Sequence, residues 1–340
     1  MSKVKTVFYK FFKLLSHFWA IIYVVIGARG LGKTYSAKMW LLSGWVYKRE
    51  KFIILRGTID ECKTLAQDDG VRFWGDVLLD KKWKSKSIDI TMTQDSVYIN
   101  GELAGFVMPQ SMFRKFKGSQ YQDVKRVLYD EFIPEQGQRY NGDRAWQFIN
   151  TLMTVVRFRN DFKIILTANA LNKGDTILCD LFQFRINNYG IYKNRSKRVV
   201  LDYARNSEAF EAYQRQGAVY DLVKGSRFEK NLLSNEFLND DTGLFYTKRK
   251  PCDLFGIYYG RDNVAIRIYQ SKSGDEWYAG SDTNPNSAMY MRFAFDIKNA
   301  NGRVRIGTLD DKKLLQTLYK NQLIKFENSY ILEVFKQVIS

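Results

Sequence analysis

Short apolar runs rich in β-branched residues recur through the first 200 positions, with polar stretches between them. Ile21–Ile26, Phe52–Leu55, Val127–Tyr129 and Lys163–Thr167 are the clearest. Runs this brief and this continuously apolar predict strands buried on both faces, as in a mainly parallel sheet covered by helices. A helical period fills some of the gaps. In Trp146–Val156 the residues Trp146, Phe148, Ile149, Leu152, Met153 and Val156 recur at i, i+3, i+4 spacing, which predicts an amphipathic helix. One insert breaks the alternation. Ser87–Thr93, Val97–Asn100 and Leu103–Met108, turning at Asn100-Gly101, predict an antiparallel hairpin.

Residues 205–238 are mixed and polar and predict a connecting segment. Beyond Phe245 the pattern becomes antiparallel. Strands are expected at Asp253–Tyr259, Val264–Gln270 and Glu276–Ala279, then helices at Lys312–Leu323 and Tyr330–Val338. The expected organisation is an α/β domain over 1–204, the connecting segment, and an α+β domain over 239–340. A length of 340 residues fits two domains at about 150 each. Residues 1–26 are basic and then apolar, like a signal peptide. Lys10, Lys13 and His17 interrupt that run, however, and it leads straight into a glycine-rich loop. The expectation is a surface helix over 4–16, then a buried strand, and no membrane anchor.

Charge narrows the choice of partner. Against 36 acids stand 53 lysines and arginines, a net +17 that favours a polyanion such as nucleic acid. A single histidine, His17, argues against histidine zinc sites and Ser-His-Asp triads. Cys62, Cys179 and Cys252 lie far apart, which fits a reducing, intracellular setting rather than a disulfide framework.

The chemistry concentrates after the first strand. Gly27-Ala28-Arg29-Gly30-Leu31-Gly32-Lys33-Thr34 matches G-x-x-x-x-G-K-[ST], between an apolar strand and a helical pattern. Glycines there let successive N–H groups curl inward onto phosphate oxygens, and the helix N-terminus adds positive charge. Lys33 is expected to reach the β and γ oxygens and Thr34 to ligate Mg²⁺, with ATP as the nucleotide. The apolar strand ending at Tyr129 is followed by Asp130 and Glu131. Acids at that end of a strand project into the nucleotide crevice. Asp130 is expected to hold the metal and Glu131 to polarise the attacking water. Loop and acid pair together predict a P-loop NTPase fold of the ASCE type with an inserted hairpin.

Asn169 follows the strand Lys163–Thr167 and suits a γ-phosphate sensor, or a helix cap. Arg157 and Arg159 follow the amphipathic helix. They either complement its dipole or, for one of them, enter a neighbouring subunit's site. Asn172-Lys173-Gly174-Asp175 spells N-K-x-D, a guanine-reading motif, but the switch glycine that should follow Asp130 is replaced by Ile133. It is expected to be a turn. Basic clusters that suit DNA phosphates are Lys81, Lys82, Lys84 and Lys86; Arg114, Lys115 and Lys117; and Lys193, Arg195, Lys197 and Arg198.

With these in place the chain resembles the encapsidation proteins of small short-tailed phages with protein-primed genomes. The resemblance is carried by Val25–Lys33, by Asn100–Gly105 with Pro109 and Ser111, by Tyr129–Ile133, by Leu152-Met153 followed by Arg157, and by Leu323–Asn328. It implies an ATPase that pumps double-stranded DNA into a prohead. It further implies a homopentameric ring at the portal vertex in the host cytoplasm, with the portal protein and a packaging RNA as partners. Arg157 takes the place of the family's trans-acting arginine finger. Arg56 matches a basic position after the second strand, whereas Gly57-Thr58-Ile59 stands where a following lysine is expected. The resemblance also implies a C-terminal domain like an RNase-H-type nuclease without its metal ligands. Asp253, Asp262, Asp275 and Asp282 are present, but no strand displays a converging set, so no cleavage is expected. The rival readings are a helicase or nuclease-competent terminase, and a nucleotide-gated binding switch.

Overall fold

The computed structural model describes residues 7–112, 121, 123–134, 144–170, 175–186, 188–226, 229, 233, 246, 248–260, 264–282, 291–295 and 304–340. The chain divides into two compact units, Met1–Ile177 with Asn188–Leu238, and Leu178–Asn187 with Asn239–Ser340.

Nine strands form one sheet in the first unit. They are β1 Ile22–Gly27, β2 Lys51–Arg56, β3 Ile90–Met92, β4 Ser96–Ile99, β5 Glu102–Pro109, β6 Val124–Asp130, β7 Lys163–Asn169, β8 Gly190–Asn194 and β9 Val199–Tyr203. Their order across the sheet is β3-β4-β5-β2-β6-β7-β1-β9-β8. The six central strands, β5 to β9 in that order, are mutually parallel. Antiparallel pairs flank them on both sides. Five residues of β1, five of β2 and five of β7 in succession are buried, as the unbroken apolar runs require. The hairpin turns at Asn100 and Gly101, both at positive φ, but its last strand, β5, pairs parallel with β2 and so belongs to the central sheet.

Helices α1 Phe12–Leu15, α2 Lys33–Lys48, α3 Ile59–Leu65, α4 Val71–Leu78, α5 Lys81–Lys84, α6 Arg144–Val155, α7 Glu208–Gln214 and α8 Ala218–Val223 complete the unit. α2 buries Ala37, Leu41, Leu42 and Trp45. The apolar face of α6 is narrower than the pattern suggests. Ala145, Phe148, Thr151 and Val155 are buried, while Trp146 and Met153 face out. The N-terminal surface helix is cut to the single turn of α1. Upstream of it, the Tyr9 N–H donates to Leu31 O at 2.8 Å and the Tyr9 carbonyl accepts from Ser36 Oγ at 2.5 Å, so this stretch is bonded to the phosphate loop and α2. Residues 205–238 carry α7 and α8 and fall within the first unit. Among the described residues no helix is long and apolar enough to cross a membrane.

The second unit holds a six-stranded sheet built from β10 Cys252–Tyr259, β11 Ala265–Ser271, β12 Trp277–Ser281, β13 Arg292–Ala294, β14 Val304–Ile306 and β15 Ile324–Phe326. The order β12-β11-β10-β13-β14 is antiparallel across its first three strands and parallel across its last three. That is an RNase-H-like arrangement, with β15 added beside β12. Helices Leu309–Lys320 and Ser329–Ile339 close the core with Leu315, Leu318, Ile331 and Phe335. The three described acids do not gather. Asp253 is exposed, and Asp275 accepts from Ser271 and Lys250. Asp282 pairs with Arg267 at 2.9 Å and Arg292 at 3.4 Å. Asp262 lies outside the described residues. Among the described residues no group of three or more His, Cys, Asp or Glu side chains could hold a metal. All three cysteines are free thiols.

Gly105 pairs with Phe52 where β5 lies beside β2: a Cβ there would stand 2.6 Å from the Phe52 ring and 2.7 Å from its carbonyl oxygen. Gly105→Ala is therefore expected to cost about 1–3 kcal/mol in urea unfolding. Gly75, inside α4, would meet only Val71 at 3.7 Å, so Gly75→Ala should gain about 0.5–1 kcal/mol.

Candidate functional site

β1 delivers the chain to the loop at Gly27. Gly30 and Gly32 take φ of 79° and 88°, the left-handed region that glycine enters without strain, and α2 starts at once. The first turn of α2 contains no acid and no side chain caps it. Its amide donors are thus left facing the loop, which is what an anion-binding helix end requires.

Lys33 is folded back into that loop. Its Nζ donates to Gly27 O at 2.9 Å, Ala28 O at 2.6 Å and Asn169 Oδ1 at 3.1 Å. Only 6% of the residue is exposed. Burial lowers its pKa to about 8, against the opposing pull of Asp130 and Glu131.

β6 and β1 are not adjacent, because β7 lies between them. The register sets Gly27 beside Asn169 and Asp130 beside Thr167, so β1 and β7 end level and β6 stops two residues short of them. Asp130, 1% exposed, accepts from Thr34 Oγ1 at 2.7 Å and from the Thr167 hydroxyl. Thr34 and Asp130 thus offer hydroxyl and carboxylate oxygens side by side, a donor set that suits a hard cation such as Mg²⁺.

Glu131 is held differently. Its backbone is left-handed at φ 54°, a conformation costly for a residue with a Cβ and concentrated at functional positions. The next amide, Phe132 N, donates to Thr167 O at 3.1 Å. The Glu131 side chain is half-exposed and takes an ion pair from Arg56 Nη1 at 2.6 Å; the same nitrogen lies 3.5 Å from Asp130 Oδ2. Burial alone would weaken the Arg56 charge, but Asp130 and Glu131 outweigh it and push the guanidinium pKa up.

These groups share one cavity of about 540 Å³, a size that suits a nucleotide, and Phe8, Arg29, Gly30, Gly32, Tyr35 and Asp76 help to line it. Lys33, Thr34, Asp130, Glu131 and Asn169, expected to converge, do so here. Arg157 does not line it. It stands exposed just past α6, at φ 50°, beside Phe158, which is 99% exposed. Arg159 is committed locally, donating to Val124 O, Tyr121 O and Val155 O. Of the guanine-reading candidate only Asp175 lies within the described residues. It is buried, ion-paired with Arg144, and accepts from Ile177 N at 3.0 Å, so it is not available to a base.

Lys193, Arg195, Lys197 and Arg198 are exposed on β8 and its turn, with Arg195 over the Trp19 ring at 5.1 Å. Lys115 and Lys117 lie outside the described residues. The sequence motifs include neither Thr167 nor Phe8, and they mark Arg56 as a basic position after the second strand without its acidic partners. Arg56 carried a signal, an arginine ending an apolar strand. Phe8 carried none.

A strand, a phosphate loop capped by a lysine, and an Asp-Glu pair across an intervening strand define a P-loop NTPase fold. Residues 3–339 match the podovirus DNA encapsidation protein family (Gp16), and the chain belongs to that family of phage DNA-packaging proteins. It is 24% identical over 335 residues to the DNA packaging protein of Bacillus phage PZA, covering 96% of this chain and 95% of the relative. Its fold is similar to a chain of the bacteriophage phi29 viral genome packaging motor assembly (TM-score 0.71, 20% identity, 98% of this chain and 100% of that one). It is also similar to the N-terminal domain of the DNA packaging ATPase from bacteriophage phi29 (TM-score 0.52, 25% identity, 60% and 99%).

The Thr167 hydroxyl bonds a buried carboxylate. Thr167→Val keeps the shape and removes that donor, and is expected to cost about 1.5–3 kcal/mol in chemical denaturation.

Proposed function

We propose that this chain is the ATP-hydrolysing motor that drives double-stranded DNA into a prohead. The observation that carries it is the meeting of Lys33, Thr34, Asp130, Glu131 and Asn169 in a single cavity at the carboxyl ends of three neighbouring parallel strands. Membership of the encapsidation family and the likeness to a DNA packaging ATPase domain support it.

In this reading the amides of residues 27–34 cradle a triphosphate. Lys33 gives up the Gly27, Ala28 and Asn169 oxygens for phosphate oxygens. Mg²⁺, held by Thr34 and Asp130, would neutralise charge that develops on the phosphates. Glu131 orients and polarises the attacking water. In the arrangement described, Arg56 occupies the Glu131 carboxylate, so hydrolysis waits on that ion pair letting go. Asn169, bonded to Lys33, registers what the ammonium grips. Arg157, exposed and outside its own cavity, suits insertion into a neighbour's site in a ring, which is where the pentamer belongs.

The partners in this reading are double-stranded DNA, the portal protein and a packaging RNA, at the portal vertex in the host cytoplasm. The basic surface at Lys193, Arg195, Lys197 and Arg198, with Lys115 and Lys117, would grip phosphates by charge and not by sequence. Residues 239–340, the greater part of the second unit, serve as a nuclease-inactive RNase-H-like domain that binds nucleic acid or the portal. Asp282 engaged by two arginines supports that over a cleaving terminase.

The test is the ATPase rate with and without double-stranded DNA across a salt series. Stimulation should be present and fall steeply with salt. Glu131→Gln should lose at least about 100-fold in turnover while still binding ATP; undiminished turnover would overturn the assignment.

Lys33 gives a separate check. With its pKa lowered to about 8 from 10.5, Lys33 is neutral in the free folded chain between those values. Phosphate oxygens favour the ammonium, so ATP binding in that window takes up as much as about one proton, and affinity falls as pH rises above 8. Uptake from this group fades over about one pH unit below 8. Calorimetry in buffers of different ionisation enthalpy reads the proton directly, and Lys33→Ala should abolish it.

A further inference from the structure

Phe8 belongs to a stretch of chain that is otherwise well tied down. Tyr9 bonds Leu31 and Ser36 through its backbone, and its hydroxyl donates to Asp202 Oδ2 on β9 at 2.8 Å. Phe11 and Leu14 are buried in the core. These contacts suffice to anchor the N-terminal segment, yet the adjacent Phe8 side chain is 44% exposed and lines the phosphate-loop cavity. It sits against the loop itself: a Cβ on Gly32 would stand 3.1 Å from Phe8 Cβ. A large apolar ring left open at a cavity of nucleotide size calls for an occupant.

Its neighbours define the occupant's chemistry. Tyr213 and Phe210, both on α7, meet the Phe8 ring at 5.5 Å and 6.3 Å with interplanar angles of 75° and 67°. Neither stacks parallel on it. They brace the ring edgewise and leave its role to a flat partner. Lys33 and Thr34 give the cavity charged and hydroxyl groups, and Phe8, against Gly32, gives it an exposed aromatic ring. A molecule that joins a polyphosphate to a planar heteroaromatic ring matches both kinds of lining.

We infer that Phe8, braced by Tyr213 and Phe210, is the stacking platform for the base of the bound nucleotide. The inference rests on the ATP reading proposed above and deepens it. It also gives the α7 part of residues 205–238 a place at the nucleotide site. A platform of this kind reads the π-face of a base and not its hydrogen-bonding edge. Purines, with the larger face, should bind more tightly than pyrimidines, with little difference between ATP and GTP.

The experiment compares two Mg²⁺-loaded probes on the full-length chain by equilibrium titration: ATP, and inorganic tripolyphosphate, which has the phosphates and no base. Phe8→Ala should weaken ATP binding about tenfold or more and leave tripolyphosphate binding unchanged. Phe8→Leu, which keeps apolar bulk without a π-face, should resemble Phe8→Ala, and Phe8→Trp should restore ATP affinity. The purine preference should shrink in the alanine variant. Equal loss of both probes would mean that Phe8 merely shapes the loop, and no loss of ATP affinity would mean that the base lies elsewhere; either result overturns the inference. Wild-type protein that binds neither probe would instead sink the nucleotide-site reading beneath it.

Discussion

A carboxylate withdrawn from water survives only if its surroundings replace the hydration it has lost. Asp130 meets that demand with groups from three different elements: Thr34 on α2, Thr167 on β7 and Arg56 at the end of β2. β2 and β7 flank β6 on its two sides, so the acid fastens both neighbours and the helix behind the loop to one point. None of the three can move away without exposing or orphaning the charge. The rigid mouth of the cavity follows from this, and so does the strained backbone of Glu131. With Asp130 fixed, Phe132 bonded to Thr167 and β6 ended, the one residue between must turn left-handed.

The charges in the site are close to balanced. Three carboxylates, Asp76, Asp130 and Glu131, stand with three cations, Arg29 and Lys33 in the lining and Arg56 behind the acids, and Lys33 and Arg56 are held in different ways. Lys33 is held by neutral oxygens of the loop and Asn169, so burial weakens its charge. Arg56 is held by the acids themselves, so its charge is strengthened. A polyanion therefore competes readily for Lys33, whose partners are dipoles. It competes poorly for Arg56, whose partners are charges. The site is built to yield on one side and resist on the other.

The parts of this arrangement that a sequence displays are those written in consecutive residues. The loop from Gly27 to Thr34 and the acids after Tyr129 each carry their chemistry within a few positions, and the apolar strand before each announces where it lies. Arg56 is legible as a position but not as a partner of Glu131, since the pairing depends on β2 and β6 becoming neighbours. The hydrophobic pattern does not single out β8, whose Tyr192, Lys193 and Asn194 read as polar; the strand forms because β9 offers it an antiparallel edge. α6 is legible as a helix but not in its outward face, where Trp146 and Met153 share the helical spacing of the buried residues. Phe8 and Tyr213 are separated by most of the first unit, and nothing in either segment points to the other.

β7 has a position that no other strand shares. Thr167 and Asn169 are two residues apart, so they project from the same side of the strand. The first bonds Asp130 and the second bonds Lys33. Any change in what Lys33 or Asp130 grips thus bears on one short stretch of backbone. The chain beyond that stretch passes Asp175, which Arg144 at the start of α6 holds in a buried ion pair, and then enters Leu178–Asn187, which folds with the second unit. α6 in turn ends just before Arg157. Buried ion pairs are weak contributors to stability but strong specifiers of geometry. Asp175–Arg144 ties the chain that follows β7 to the start of α6, the helix that ends just before the exposed Arg157. The backbone that leaves the cavity along β7 is thus held by a buried ion pair before it enters the segment that folds with the second unit.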